Sequence, residues 1–312
     1  MYGAIGAGAT LGDDGASMDP GSLVFHPQSL DAPWDAPVHV KWLGTAGYEV
    51  RSGAHVLLFD PYVTRASLAR CILARLEPDH ARIARYTPRA DAIIVGHTHF
   101  DHALDVPAIA KATGATVFGS RSAALLCRSQ GVAEARIDVV ERPAGSAPVE
   151  REVGPFRLRF HASAHAPLLL GRVPAPGEIA DCTDVPMRAD AYRCGAVFGV
   201  EVIVGGRTIF HMGSAELLDA SLGKLAVDLL LLTVAGWTSS DRLPERAVRA
   251  FSPRAVLLGH WDDFTSPMEK GARAPRDEDG PPRGPAGDRR ARRVGRDPAA
   301  PGGSPRVTSL SS

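Results

Sequence analysis

Three features of the sequence predict an α/β fold of two stacked sheets with helices outside. Period-two apolar runs alternate with helix-length segments, and no self-similarity recurs at roughly 20–50 residues. The chain also divides into two stretches that each begin strand-rich and end helix-bearing, the pattern of a sheet sandwich flanked by helices.

The elements follow in order. Val38 to Leu43, Tyr48 to Arg51 and His55 to Phe59, parted by turns at Gly44–Gly47 and Ser52-Gly53, read as an antiparallel meander. A helix over about Ser67 to Leu76 puts Leu68, Ile72 and Leu76 on one face, with Arg65, Arg70 and Arg75 as a solvated face. Ala92 to Val95 is a buried strand ending at Gly96 and His97. A helix over about His102 to Thr113, a strand Thr116 to Gly119 and a helix Ser122 to Gln130 complete the first half. In the second half, Phe156 to Ser163 alternates as a strand, and Ala196–Val204 and Thr208–Met212 form a hairpin across Gly205-Gly206. Asp228 to Val234, the helix Arg242 to Phe251 and the strand Ala255 to Leu258 close it. Pro167 to Arg193, with Pro174, Pro176 and Pro186, reads as an irregular lid or binding loop.

The 312 residues carry 35 basic and 35 acidic side chains, but unevenly. Residues 271–312 hold 9 Arg against 5 Asp/Glu, a local +4, so residues 1–270 sum to −4. With 7 Pro and 7 Gly and few large apolar side chains, that tail cannot bury enough surface to offset its ordering entropy. The expected organisation is a little-structured leader over 1–35, a folded domain over 36–270 and a basic tail over 271–312. Met18 is a candidate true start. The tail has two open readings, a natural extension or a shifted reading frame. The mildly acidic balance of residues 1–270 argues against nucleic-acid binding, and no apolar run is long enough for a membrane helix. Four cysteines in a chain this long suggest thiols and a cytoplasmic setting, although Cys182 and Cys194 could bridge. Cys71 and Cys127 read as buried thiols on helix faces.

The most specific signal is Gly96-His97-Thr98-His99-Phe100-Asp101-His102, where a buried strand passes into a helix. H-x-H-x-D-H should arise by chance in roughly one such chain per thousand. His97 and His99, two apart on extended backbone, point the same way, and Asp101 and His102 at the helix start face a neighbouring position. One segment thus offers nitrogen donors for one Zn²⁺ and a mixed oxygen–nitrogen pair for a second. His26, His39, His55 and His80 have no such context.

With this motif, Trp42-Leu43-Gly44-Thr45-Ala46-Gly47, Leu57-Leu58-Phe59-Asp60-Pro61 and the stretch Asp105 to Gly119, the sequence resembles the metallo-β-lactamase superfamily, in particular its broad hydrolase branch related to ascorbate-phosphate lactonases. The resemblance spans about Val38 to Phe264. It implies a four-layer αββα fold with a metal site at one edge, and it implies later ligands. His165, at a strand end in Ser163-Ala164-His165-Ala166-Pro167, matches the family's third histidine, whereas His161 reads as a strand residue or an outer partner. His260, in Leu257-Leu258-Gly259-His260-Trp261-Asp262, matches the last. Where the family carries a metal-bridging Asp after a strand, this chain has Ser214, a neutral and poor ligand.

Three arrangements therefore stay open: one Zn²⁺ on His97, His99 and His165; two ions with Asp101, His102 and His260 on the second; or Glu216 reaching in. His211 reads as an outer partner. The implied activity is hydrolysis of a small ester, lactone, amide or phosphoester by zinc-bound hydroxide. The alternatives are a two-metal phosphodiesterase and a metal-binding module without catalysis. Asp60 is a candidate catalytic carboxylate behind the ligands, and Asp101 a candidate to orient the nucleophile or shuttle a proton. Asp262 and Asp263 are candidate leaving-group acids. The sequence leaves the oligomeric state and the particular substrate open.

Overall fold

The computed structural model describes residues 24–25, 37–143, 145–168, 171–180, 184–222 and 225–268. Most of the expected 1–35 leader, the whole 271–312 tail and Cys182 lie outside the described residues.

The first sheet has seven strands in sequence order: β1 (Val24–Phe25), β2 (Val38–Gly44), β3 (Gly47–Ser52), β4 (His55–Phe59), β5 (Ala92–Ile94), β6 (Thr116–Gly119) and β7 (Ile137–Val139). β1 to β4 are antiparallel, and β4 to β7 are parallel. Five helices accompany it: α1 (Leu68–Leu73), α2 (His80–Tyr86), α3 (Phe100–Ala103), α4 (Val106–Thr113) and α5 (Arg121–Ser129). The second sheet has six strands: β8 (Val149–Val153), β9 (Phe156–Ser163), β10 (Val197–Val204), β11 (Arg207–Met212), β12 (Leu229–Thr233) and β13 (Ala255–Gly259). It too passes from an antiparallel meander, β8 to β11, to parallel strands, β11 to β13. Its helices are α6 (Asp219–Leu222) and α7 (Leu243–Phe251).

Period-two alternation assembles the layers. Val38, Val40 and Trp42 of β2 and Leu57 and Phe59 of β4 face Phe156, Leu158 and Phe160 of β9 and Val200 and Val202 of β10 between the sheets. Leu58, Ile93 and Val117 point the other way, against Ile109, Ala123 and Leu126 of the helices. On the far side, Phe210, Leu230 and Leu232 meet Leu243, Ala247 and Phe251. Each large apolar side chain so buried contributes about 1.5–3 kcal/mol. The result is the αββα layering that the sequence predicts.

Several expectations are corrected. The helix read over Ser67–Leu76 is confined to α1; Leu68 and Ile72 are 60% and 57% exposed, and Leu76, beyond the helix, is buried in the core cluster that also holds Met187, whose carbonyl accepts its N–H. Arg65 is no part of a solvated face, being 4% exposed. The helix read over His102–Thr113 is two helices. Leu104–Asp105 breaks it, and Pro107, lacking an N–H, sits in the first turn of α4. α2, β7 and β8 escape the pattern because α2 buries only Ile83 and Tyr86, β7 is only three residues, and β8 carries Glu150, Arg151 and Glu152. Pro167–Arg193 is not a free lid: Ile179, Met187 and Tyr192 are buried under the first sheet's helices. No described helix is long and apolar enough to cross a membrane.

Direction decides where function gathers. β4 and β5 run parallel, so Asp60 and His97 leave the same end of their sheet. β9 and β11 are both antiparallel to β10, and β11 is parallel to β12 and β13. His165, Ser214 and His260 therefore also leave one end. The two ends are joined where Phe198 N–H donates to Gly96 O at 2.8 Å. A Cβ on Gly96 would come 2.9 Å from Gly213 Cα, so the sheets meet there only through glycine.

Candidate metal centre

At this edge, six residues form two trios, His97, His99 and His165, and Asp101, His102 and His260; within each, one ligand atom per residue lies within 4.8 Å of the others. The local chain explains the first four. His97 follows β5, and His99 holds extended backbone (φ −60°, ψ 153°) as the residue capping α3, whose first turn then carries Asp101 and His102.

The hydrogen bonds of the first trio assign its tautomers. His97 Nδ1 donates to Gly213 O at 3.0 Å, His99 Nε2 to Pro174 O at 2.8 Å and His165 Nδ1 to Ala166 O at 2.7 Å. Each carbonyl can only accept, so the proton sits on the outer nitrogen and the inner nitrogen keeps a lone pair. His97 Nε2 and His99 Nδ1 then face each other at 3.0 Å, two lone pairs with no proton assigned between them. That contact is repulsive alone and favourable around a cation. Burial, with the neighbouring imidazoles, lowers the pKa of His97 and His99 and brings His165 down to about 4, so all three are neutral ligands at pH 7. The residues fit a divalent, imidazole-seeking metal such as zinc.

The second trio is charged. His260 Nε2 lies 3.0 Å from Asp101 Oδ2, and His102 Nε2 3.8 Å from the same oxygen. Burial pushes the Asp101 carboxyl up, but His102 and His260 outweigh it and hold its pKa below the carboxylate range. Burial likewise pulls His102 down, and Asp60 and Asp101 outweigh it to leave it raised. Asp60 stands behind: Oδ1 accepts Gly96 N–H at 2.6 Å, and Oδ2 faces His102 Nδ1 at 3.0 Å, at an angle outside hydrogen-bond geometry. His211 Nε2 reaches Ala46 O at 3.1 Å and lies 3.9 Å from Asp60 Oδ2.

Other candidates are elsewhere. His161 pairs with Glu201 at 3.4 Å on the far face of β9. Ser214 Oγ accepts the N–H of Ala166 at 3.3 Å, bracing the residue after His165. Glu216 does not reach in, since its Oε1 accepts from Arg246 Nη1 and Leu217 N, both at 2.8 Å. Asp262 is no leaving-group acid: it is 2% exposed and bound by Arg65. Asp263 caps Thr265 and Ser266. Sequence reasoning missed the roles of Arg65 and Thr45: Thr45 entered only within a family-like turn and Arg65 only as a solvated face, because both meet Asp262 at long sequence separation.

A sheet sandwich with two imidazole-rich trios at its shared edge belongs to the class of metal-dependent hydrolases. Residues 55–277 match the beta-lactamase superfamily domain, and the chain belongs to that family. A UPF0173 metal-dependent hydrolase of Pyrobaculum islandicum is 30% identical over 233 residues, covering 73% of this chain and 85% of that protein. One from Symbiobacterium thermophilum is 25% identical over 234 residues with the same coverage. Among solved structures, a metallo hydrolase from the archaeon Ignicoccus hospitalis shows 15% identity and a TM-score of 0.46, covering 73% of this chain and 84% of its own.

Proposed function

We propose that this chain is a Zn²⁺-dependent hydrolase of a small ester, lactone, amide or phosphoester, holding one ion on His97, His99 and His165 and a second, weaker one on Asp101, His102 and His260. The observation that carries the reading is the common orientation of the first trio, each imidazole giving its outer N–H to a carbonyl and turning a lone pair inward. Zinc bound there supplies Lewis acidity and lowers the pKa of a water it holds from 15.7 to about 7. The chain's residues do the rest. The charge of Asp60 Oδ2, 3.0 Å from His102 Nδ1, favours a proton on that nitrogen, and Asp101, ionised at neutral pH, would accept a proton or orient the nucleophile.

The folded domain is taken as residues 36–270, whose 26 basic and 25 acidic residues leave none of the large basic surplus a nucleic acid would call for, which suits a small molecule better. Free thiols at Cys71 and Cys194 support a cytoplasmic setting. Elemental analysis with an ester, lactone, amide and phosphodiester panel tests the proposal. His97→Ala and His165→Ala should each abolish activity and the zinc of the first trio, and activity surviving both refutes the site. Efficient phosphodiester cleavage with two zinc ions per chain favours the phosphodiesterase reading. One observation favours a module without catalysis: Ser214 leaves no carboxylate at the family's bridging position. A zinc-replete protein inert across the panel supports it.

A further inference from the structure

Arg65 is buried, and its guanidinium laces three loops together. Nη1 donates to Thr45 Oγ1 at 2.8 Å, Nη2 to Asp262 Oδ2 at 2.5 Å and to Asp263 O at 2.9 Å, and Nε to Ser266 O at 3.1 Å. Thr45 closes the circuit: its N–H donates to Asp262 Oδ1 at 3.1 Å, and its carbonyl accepts the N–H of His260 at 2.6 Å. Gly44 leaves room for this, because a Cβ there would sit 2.8 Å from Arg65 Nη1.

Three residues of this circuit are left-handed without being glycine: Thr45 at φ 52°, Arg65 at φ 54° and His260 at φ 58°. Such backbone is strained and persists only where its surroundings over-determine it. A buried ion pair also adds little to stability compared with an apolar pair, so its value lies in geometry. The geometry it sets is the turn after β13, which delivers His260 Nε2 to within 3.0 Å of Asp101 Oδ2.

We infer that the Arg65–Asp262 pair is a positioning clasp, which holds His260 in its left-handed turn and thereby sets the ion affinity of the second trio while leaving the first untouched. The inference about affinity rests on the second trio being an ion site, as proposed above.

The double variant Arg65→Gln/Asp262→Asn removes the pair without stranding a buried charge. Zinc titration against a competing chelator, with elemental analysis, should show second-ion affinity falling about 10- to 100-fold with first-ion affinity retained, the scale expected when a ligand loses its supporting partner. In metal-free protein, amide exchange of the segment 259–266 should quicken about 10-fold or more, with the strands β9 and β10 unchanged. Should the double variant fail to fold, Arg65→Lys keeps the charge but loses the planar fork, and the same pattern is expected of it.

His260→Ala separates the two claims. If it leaves both ion affinities at wild-type values, the second trio is not an ion site and that reading falls, while amide exchange still decides the clasp. Unchanged exchange over 259–266 in the double variant overturns the clasp, as does an equal loss of both ion affinities.

Discussion

Asp105 offers a quantitative test of how the loop bearing Asp60 and Arg65 is anchored. Its carboxylate is fully buried and receives Val63 N–H at 2.7 Å, Thr64 N–H at 2.8 Å and the Thr64 hydroxyl. Burial, only partly offset by these bonds, pushes its pKa from 3.8 up to about 6. Two units correspond to about 3 kcal/mol between the protonated and ionised forms. Because the folded-state value is raised, this contribution is fully present below the unfolded pKa near 4 and is lost as pH rises through 6. At pH 4.5 about 2 of those 3 kcal/mol are present, and near pH 7 almost none. Urea unfolding of metal-free wild type and Asp105→Asn across this range isolates the effect, since carboxylates of opposite sign, such as Asp101 and Asp263, cancel in the difference. Wild type should gain about 2 kcal/mol on the variant between pH 7 and 4.5. A difference flat with pH, or one that widens toward neutrality in wild type's favour, would refute the assignment of a buried, poorly compensated charge.

Three other outcomes are expected. Gly96→Ala sets a methyl 2.7 Å from Asp60 Oδ2 and 2.9 Å from Gly213 Cα, so it should cost about 2–3 kcal/mol in urea unfolding and lower zinc content, because backbone must shift. Ser214→Asp restores an anion beside the trios and should tighten the second zinc at least about tenfold in a chelator competition, a gain of about 1.4 kcal/mol. Burial holds the Cys194 thiol near 12, so maleimide at pH 8 should label Cys71 well before Cys194, with mass spectrometry of the peptides as the readout.

What could be read from the chain depended on range. Strands such as Phe156–Ser163 and Thr116–Gly119 match residue for residue, because alternation of apolar side chains is a local signal. The grouping of His97 and His99 apart from Asp101 and His102 follows from their place on a strand end and a helix start. His165 and His260 were reached through family likeness, since nothing local says that two histidines 68 and 163 residues beyond His97 return to it. Arg65 was misread for a related reason. Its spacing with Arg70 and Arg75 suggests a helix face, but helix begins only at Leu68, and the partner that buries Arg65 lies 197 residues on. The apolar face drawn through Leu68 and Ile72 failed because α1 is too short to be held by a stripe. The Leu76 N–H donating to Met187 O, and the Arg188 guanidinium donating to Ile72 O, tie it down instead.

Each trio draws two members from the first sheet's half of the chain and one from the second's: His165 joins His97 and His99, and His260 joins Asp101 and His102. Neither trio is therefore complete within one half of the chain. An ion in either trio would act as a rivet through the sandwich, closing a loop of 68 residues between His97 and His165 or of 159 between Asp101 and His260. Closing such loops is what the unfolded chain resists in entropy, so ion affinity and the docking of one sheet on the other become a single quantity. A substitution that loosens the packing of Phe118 on Phe160, one ring from each sheet, would then register first as weaker metal binding.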